Sequence, residues 1–482
     1  MQFSARPGPA NRGKKIEKSC QFIVSTRQAG SCYGHVPRRK ARHPKSPGNP
    51  DTTRGSIMPL RLRLRLAALL ALLVCHVQNA AAAPQEPLFG KVQAEKPAVI
   101  ETLRELVNIE SGSRDKAGLD QLAQLLAQRL AALGGQVEFY EPNAADTYTL
   151  FDTPREIGRA VLARFSGTGK RNIMLLAHMD TVYAHGTLAK RPFRIDGKRA
   201  YGPGIADDKG GVAVILHTLA LLKALGESNY ATLTVVVNGD EEISSPGARR
   251  FIERIGGQHD FVFSCEPTSN KHDDIALATS GIGNAGLKVT GKSSHAGVAP
   301  EQGRNAIVEL AHQIMQTRDL SDTSRGIKFN WTLASGGATR NVIPEAASAS
   351  ADVRVQRVTD FDIIEPAFRE RLKKQLIPDA KVEATFERRR APLQATDASR
   401  AMGKVAQSIY AELGRTLQVD DSGNGGGTDA AFAALSGKAV TLESFGLAGF
   451  GYHSSEEEYV ELDSIEPRLY LLTRMVIEAG KR

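Results

Sequence analysis

Four short segments of the chain place histidine or carboxylates where an open sheet presents its chemistry. His178-Met179-Asp180 follows the apolar run Ile173 to Ala177, Asp240-Glu241-Glu242 follows Leu233 to Val237, and Cys265-Glu266-Pro267 follows Phe261 to Phe263. The fourth, GPGIADDKGG over residues 202–211, sets Asp207 and Asp208 in a glycine-framed turn before a helical stretch. In an extended segment His178 and Asp180 point to the same side, so the carboxylate can orient a metal-bound imidazole. Extended geometry would direct the neighbours Glu241 and Glu242 apart, one to bind metal and one to take a proton from water. Taken singly, each segment reads as a helix cap, a solvated loop charge or a turn. Together, histidine and several carboxylates after successive strands, with no thiol among the donors, suit zinc, cobalt or manganese in a hydrolytic site.

The elements that would position these residues follow from periodicity. Ile100, Leu103, Leu106 and Val107, then Leu119, Leu122, Leu125 and Leu130, carry helical spacing and predict two amphipathic helices. Strand-length runs at 161–165, 173–177, 233–237 and 261–263 alternate with a helix over about 211–225. That alternation predicts an α/β fold, a mixed sheet with helices on both faces, whose strand ends carry the site. The pattern changes near Ser280. Strand 287–289, helix 305–317, strands 329–333 and 347–354, helix 361–375 and strand 381–387 spell βαββαβ, the ferredoxin-like unit. Helical segments and the apolar run 438–443 then return to the first domain. The expected organisation is a catalytic domain in two parts, 84–281 and 393–482, with an inserted domain at 282–392.

The formal charge of +9 over 482 residues suggests nucleic acid until it is divided. Residues 1–83 hold 15 Lys+Arg and 2 Asp+Glu, which leaves 47 positive against 51 negative, a mildly acidic remainder. No nucleic-acid partner is expected. From Met58 the chain shows three arginines, an apolar run from Leu66 to Val77 and then small residues, the signature of a cleaved secretory signal over 58–83. Twelve residues are too few to span a bilayer as a helix, which takes about 20. The expected location is therefore secreted or periplasmic, with no membrane attachment after cleavage. Residues 1–57 are basic, rich in Pro and Gly and without periodicity; they read as an upstream start-site artefact, a disordered arm or a transit segment. Cys265 is the one cysteine beyond residue 83, so no disulfide within the mature chain is expected.

In this order, HMDTV, GPGIADDKGG, GDEE, CEPT, GKSSHAG, NVIP, GGGTDAA and GYHS resemble the M20 family of co-catalytic zinc peptidases, and most of all its secreted glutamate carboxypeptidases. The resemblance runs from about Ala94 to the C terminus. It implies two zinc ions per subunit, one held by His178 and Glu266, the other by Glu242 and His453, with Asp207 bridging. It further implies Glu241 as general base, Asp180 as the carboxylate behind His178, and His295 as the histidine that reaches a partner's active site across a homodimer. Asn341 and Arg390 match positions that contact the terminal carboxylate of the substrate. Because Arg388, Arg389 and Arg390 are consecutive, a small shift would change the last assignment.

The resemblance implies hydrolysis of the C-terminal glutamate amide of N-acyl-glutamates such as folate. A dipeptidase, aminopeptidase or amino-acid deacylase would keep the same chemistry, and a binding protein would keep the fold alone. Gly286 to Ser293, GLKVTGKS, matches the phosphate-loop pattern letter for letter, but a strand occupies the loop itself and no helix follows, so nucleotide binding is not expected. His185, His217, His259, His272 and His312 read as structural or surface residues.

Overall fold

The computed structural model describes residues 83–482 apart from 270, 424 and 455; the basic extension and the segment expected to be a secretory signal lie, up to residue 82, outside the described residues. The chain opens with helices α1 (Leu88–Val107) and α2 (Lys116–Ala132), followed by strands β1 (Gln136–Tyr140), β2 (Ala160–Ser166) and β3 (Asn172–His178). Helix α3 (Lys209–Leu225) leads to β4 (Thr232–Asn238), α4 (Arg249–Gly256) and β5 (Phe261–Ser264). The middle of the chain holds β6 (Gly281–Thr290), α5 (Ala306–Thr317), β7 (Lys328–Gly336), β8 (Ala346–Val355), α6 (Phe361–Arg371) and β9 (Lys381–Arg390). It closes with α7 (Asp397–Glu412), β10 (Val440–Leu442) and α8 (Ile465–Gly480). Among the described residues no helix is long and apolar enough to cross a membrane.

The central sheet has the order β1-β2-β4-β3-β5-β10. β3, β4, β5 and β10 run parallel, while β1 and β2 are antiparallel additions at one edge. Interior strands of such a sheet are covered on both faces, which is why Leu233 to Val237 is an unbroken buried run with no alternation. Helix α3 is likewise buried on nearly every side, as its continuous apolar sequence requires. Its N terminus is capped by the Asp208 carboxylate, which accepts the Gly211 N–H at 3.1 Å. A side chain at Gly211 would meet the Cys265 carbonyl, so glycine is what lets this helix end approach the end of β5.

The middle segment forms its own four-stranded antiparallel sheet, in the order β7-β8-β6-β9, with a separate core in which Leu310, Phe361, Ile364 and Phe368 cover Leu287, Val289 and Val353. The order of its six elements is the expected βαββαβ. β6 is longer than the sequence signal, because Gly281, Gly283 and Gly286 depress the apolar pattern, yet each alternate position faces the core. GLKVTGKS is accordingly strand as far as Thr290, and Ser294–His295, just beyond it, are extended. Helix α6 stops at Arg371 rather than Gln375. The buried Glu309 carboxylate takes the N–H groups of Leu376 and Ile377 at 2.9 and 2.7 Å, and side chains of α5 cap the Lys374 carbonyl, which turns the chain away. The two connections to the central domain run side by side, with the Thr279 N–H donating to the Leu393 carbonyl at 3.0 Å.

Candidate metal centre

His178 ends β3, Glu241 and Glu242 follow β4, and Glu266 follows β5, so three parallel strands deliver four candidate ligands to their carboxyl ends. The turn ahead of α3 brings Asp207 to the same place, through a cis peptide bond to Asp208. His178 Nε2 lies 3.0 Å from Asp207 Oδ1 and 3.6 Å from Glu266 Oε1. His453 Nε2 lies 3.0 Å from Glu242 Oε2 and 3.4 Å from Asp207 Oδ2. Two groups of potential ligands result, His178 with Glu241 and Glu266, and Asp207 with Glu242 and His453. The two oxygens of Asp207 face one imidazole each, the arrangement a carboxylate shared by two cations would have.

Glu241 and Glu242 occupy a 3-10 turn, Glu241–Ile243, and not the extended backbone expected of them. The turn still sends the carboxylates apart, one to each group. Asp180 holds the turn in place, accepting the Glu241 and Glu242 N–H groups at 2.9 and 3.0 Å and the Ser113 hydroxyl at 2.7 Å. His178 Nδ1 sits 3.3 Å from Asp180 Oδ1 and 3.0 Å from its carbonyl, which fixes the ring with Nε2 toward Asp207. Ser244, Ser245, Ser444 and His453 all adopt positive φ, a concentration of strained backbone around the site.

Two residues that sequence reasoning did not single out complete the scaffold. Glu458 is buried and accepts the N–H groups of Gly204, Ala206 and Asp207 at 2.8, 2.7 and 2.9 Å. It therefore ties the Asp207 loop to the segment that carries His453, although in sequence it ends a Glu456 to Glu458 run that reads as a solvated face. Asp429 accepts Asn238 Nδ2 at 2.7 Å and Arg390 Nη1 at 2.9 Å. Its signal was present in GGGTDAA, hidden behind Thr428, which borders the cavity and caps the short helix after it. Replacing Glu458 by Gln keeps the shape but removes a charged acceptor, a change that costs about 1–3 kcal/mol. The expected result is a lower Tm and faster surrender of metal to a chelator, and unchanged metal retention would contradict the assignment.

The donor set suits divalent cations. Glu241 and Asp207 are buried, with Glu242 and Glu266 half-buried beside them, and Arg390 with the two imidazoles is the compensation nearby. Burial pushes Glu266 up to about 8 and raises Glu241 well above its ordinary range, and Arg390 only partly offsets the latter. Asp207 is held low in spite of burial by hydrogen bonds from His178 and His453. Such a concentration of carboxylates is costly unless cations share it.

The centre opens on a cavity of about 420 Å³ lined by Asp207, Glu241, Glu242, Glu266, Arg354 and Arg390, among others. Of the three consecutive arginines, Arg388 pairs with Asp362 and Glu365 on α6, Arg389 pairs with Asp152, and Arg390 alone borders the cavity. A β-bulge decides this. Ile282 opposes Arg390 and Gly283 opposes Arg388, so Arg389 is the extra residue and Arg390 is turned to the face away from the helices. Arg390 Nη2 lies 2.8 Å from Glu241 Oε1. His295 and Asn341 are not brought to this cavity. Both are exposed, His295 on a two-stranded ribbon and Asn341 in the turn just before its second strand, where the Ala296 N–H donates to the Asn341 carbonyl at 2.9 Å.

Residues 174–478 match the model of Peptidase family M20/M25/M40, and the chain belongs to that family. It is 43% identical over 418 residues to Carboxypeptidase G2 of Pseudomonas sp. (strain RS-16), covering 87% of this chain and 98% of that protein. Among solved structures, a M20 family metallo-carboxypeptidase from Sulfolobus solfataricus superposes with a TM-score of 0.64 at 16% identity, over 80% of this chain and 99% of that one. Aminopeptidase PepT from Bacillus cereus ATCC 10987 gives 0.65 at 22%, with the same coverage, so these two likenesses speak for the fold alone.

Proposed function

We propose that the chain is a dizinc carboxypeptidase that releases C-terminal glutamate from N-acyl-glutamates such as folate and its analogues. The observation that carries this reading is the pair of ligand groups joined by Asp207 and opening on a cavity with a buried arginine. Likeness to Carboxypeptidase G2 along nearly its whole length supports the choice among family activities. His178 and Glu266 would hold one zinc ion, Glu242 and His453 the other, and Asp207 both. Bound there, the zinc ions would depress the pKa of a water and polarise the scissile carbonyl. Glu241 accepts the proton of the attacking water and returns it to the leaving amine. Asp180 keeps the Glu241-Glu242 turn and the His178 ring in register. Arg390 receives the terminal carboxylate of the substrate, and sharing its charge leaves Glu241 a stronger base. A panel of folate, an aminoacyl dipeptide with a free amine, and N-acetylornithine tests the reading. Turnover is expected on folate, and turnover confined to either of the others would overturn it.

The reading includes a secreted or periplasmic homodimer. The signal-like segment from Met58 supports export. Ile307, Val308 and Met315 on α5 and Leu333 on the edge strand β7 are all at least 42% exposed, an apolar surface that a second copy would cover. His295 Nδ1 accepts the Gly297 and Val298 N–H groups at 3.2 and 3.1 Å, which leaves Nε2–H as a donor facing outward, as required to reach a carbonyl in a partner's site. Val308→Glu with Met315→Glu is expected to give monomers in sedimentation with at least about tenfold lower turnover, one polarising hydrogen bond being worth this much or more. Fully active monomers would contradict it.

A further inference from the structure

The cavity holds a second cation whose position is tied to the first. Ile282 on β6 is the direct partner of Arg354 on β8 and of Arg390 on β9. Residues directly opposite one another in a sheet share a face, so Arg354, Ile282 and Arg390 stand in a row on the face turned away from α5 and α6. With neighbouring strands about 4.8 Å apart, the two arginines start about 10 Å from each other and can converge over Ile282. All three residues line the cavity, and among its described lining residues Arg354 and Arg390 are the arginines, with no lysine beside them.

The two arginines are engaged differently. Arg390 is buried, with one edge on Glu241 and the other on Asp429. Arg354 is held from behind by Asp352, two residues earlier on its own strand, which accepts Nε at 2.9 Å and Nη2 at 3.0 Å. That pair is about a third exposed, 31% for Arg354 and 37% for Asp352, so it orients the guanidinium at little cost to its availability. It leaves Nη1 directed elsewhere. Lys328, across the strand pair from Arg354, adds positive charge on the same side. The carboxylates of the cavity belong to the metal groups, apart from Glu443, which is occupied by the Thr428 hydroxyl and the Ser444 N–H.

We infer that Arg354 binds the side-chain carboxylate of the departing amino acid and thereby selects an acidic residue at the C terminus of the substrate. The inference rests on the reading of the chain as a carboxypeptidase. A main-chain carboxylate at Arg390 and a side-chain carboxylate at Arg354 would match the two arginines of one cavity to the two anions of a glutamyl leaving group.

The test uses the zinc-loaded full chain and three substrates with one acyl group, N-benzoyl-glutamate, N-benzoyl-glutamine and N-benzoyl-alanine, with amino-acid release as the readout. The wild type is expected to favour glutamate over glutamine by at least about tenfold in kcat/KM, a charged hydrogen bond against a neutral one. Arg354→Gln is expected to erase most of that ratio, through a higher KM for the glutamate substrate, and Arg354→Lys to restore part of it. An equal fall on all three substrates in Arg354→Gln, with the ratio intact, would mean a structural role and overturn the inference. So would a wild type that does not distinguish glutamate from glutamine. Release from none of the three by the wild type would instead remove the carboxypeptidase reading itself.

Discussion

Glu241→Gln is expected to lower turnover by at least about a thousandfold while the protein keeps its metal and its fold, within the range measured for removal of a general base. The expectation comes from what Glu241 is and is not attached to. Its backbone N–H is fixed by Asp180 and its side chain is buried between the His178 group and Arg390. Burial, the leading influence on it, makes it a stronger base than an exposed glutamate. Glutamine preserves the volume and a hydrogen bond to Arg390 but cannot accept a proton. Metal content by mass spectrometry and steady-state turnover, measured on one preparation, check this. A variant that keeps both metal and activity would remove Glu241 from the mechanism and would return the binding-protein alternative to contention.

Stripping metal is expected to abolish activity, to destabilise the chain, and to do the latter more at higher pH. Metal at a thousand times its Kd stabilises by about 4 kcal/mol per site. For a chain of this length that amounts to several degrees in Tm. The pH dependence follows from the protons the metal must displace. In the metal-free protein, hydrogen bonds to Asp207 and Glu242 lift His453 to about 11, and burial lifts Glu266 to about 8, so both bind protons at neutral pH. Both folded values lie above the ordinary ones, so the folded metal-free chain binds these protons more tightly than the unfolded chain. For Glu266 that contribution is complete below about 4.5 and is lost as pH rises through about 8. For His453 it is complete below about 6.5 and is lost as pH rises through about 11. Zinc requires both groups deprotonated, so its binding releases protons and tightens as pH rises. The gap in Tm between zinc-loaded and chelated protein should therefore widen from pH 6 to pH 8, and calorimetry in buffers of different ionisation enthalpy should register net proton release. A gap that narrows over this interval would contradict the site as described.

What could be read in the sequence, and what could not, divides by distance along the chain. His178, Glu241, Glu242 and Glu266 were visible because each follows a strand whose apolar run is continuous, and a strand end has one place to put the next residues. Asp207 was visible through the glycines around it. Asp180 was legible as a partner because residues two apart share a face of an extended segment. Glu458 was not, since its three N–H donors lie some 250 residues away and its own neighbours are exposed acids. The aim of Arg390 depends on a bulge at Arg389 that no periodicity announces, and Arg354 matters only because β6 lies between β8 and β9. The turn at Glu241 departs from the extended expectation for a related reason. Two adjacent glutamates suggest an extended divergence, whereas the Asp180 carboxylate, 61 residues earlier, gathers both of their N–H groups into a 3-10 turn.

The proposal at the centre of this reading is that two metal ions, with Asp207 among the ligands of each, would serve one hydrolytic event. Titrating the metal-free chain with zinc while following glutamate release from folate tests it most directly. Activity that stays absent without metal and climbs until two equivalents per chain are bound is the predicted result. Full activity in the chelated protein, or saturation at a single equivalent, would contradict it.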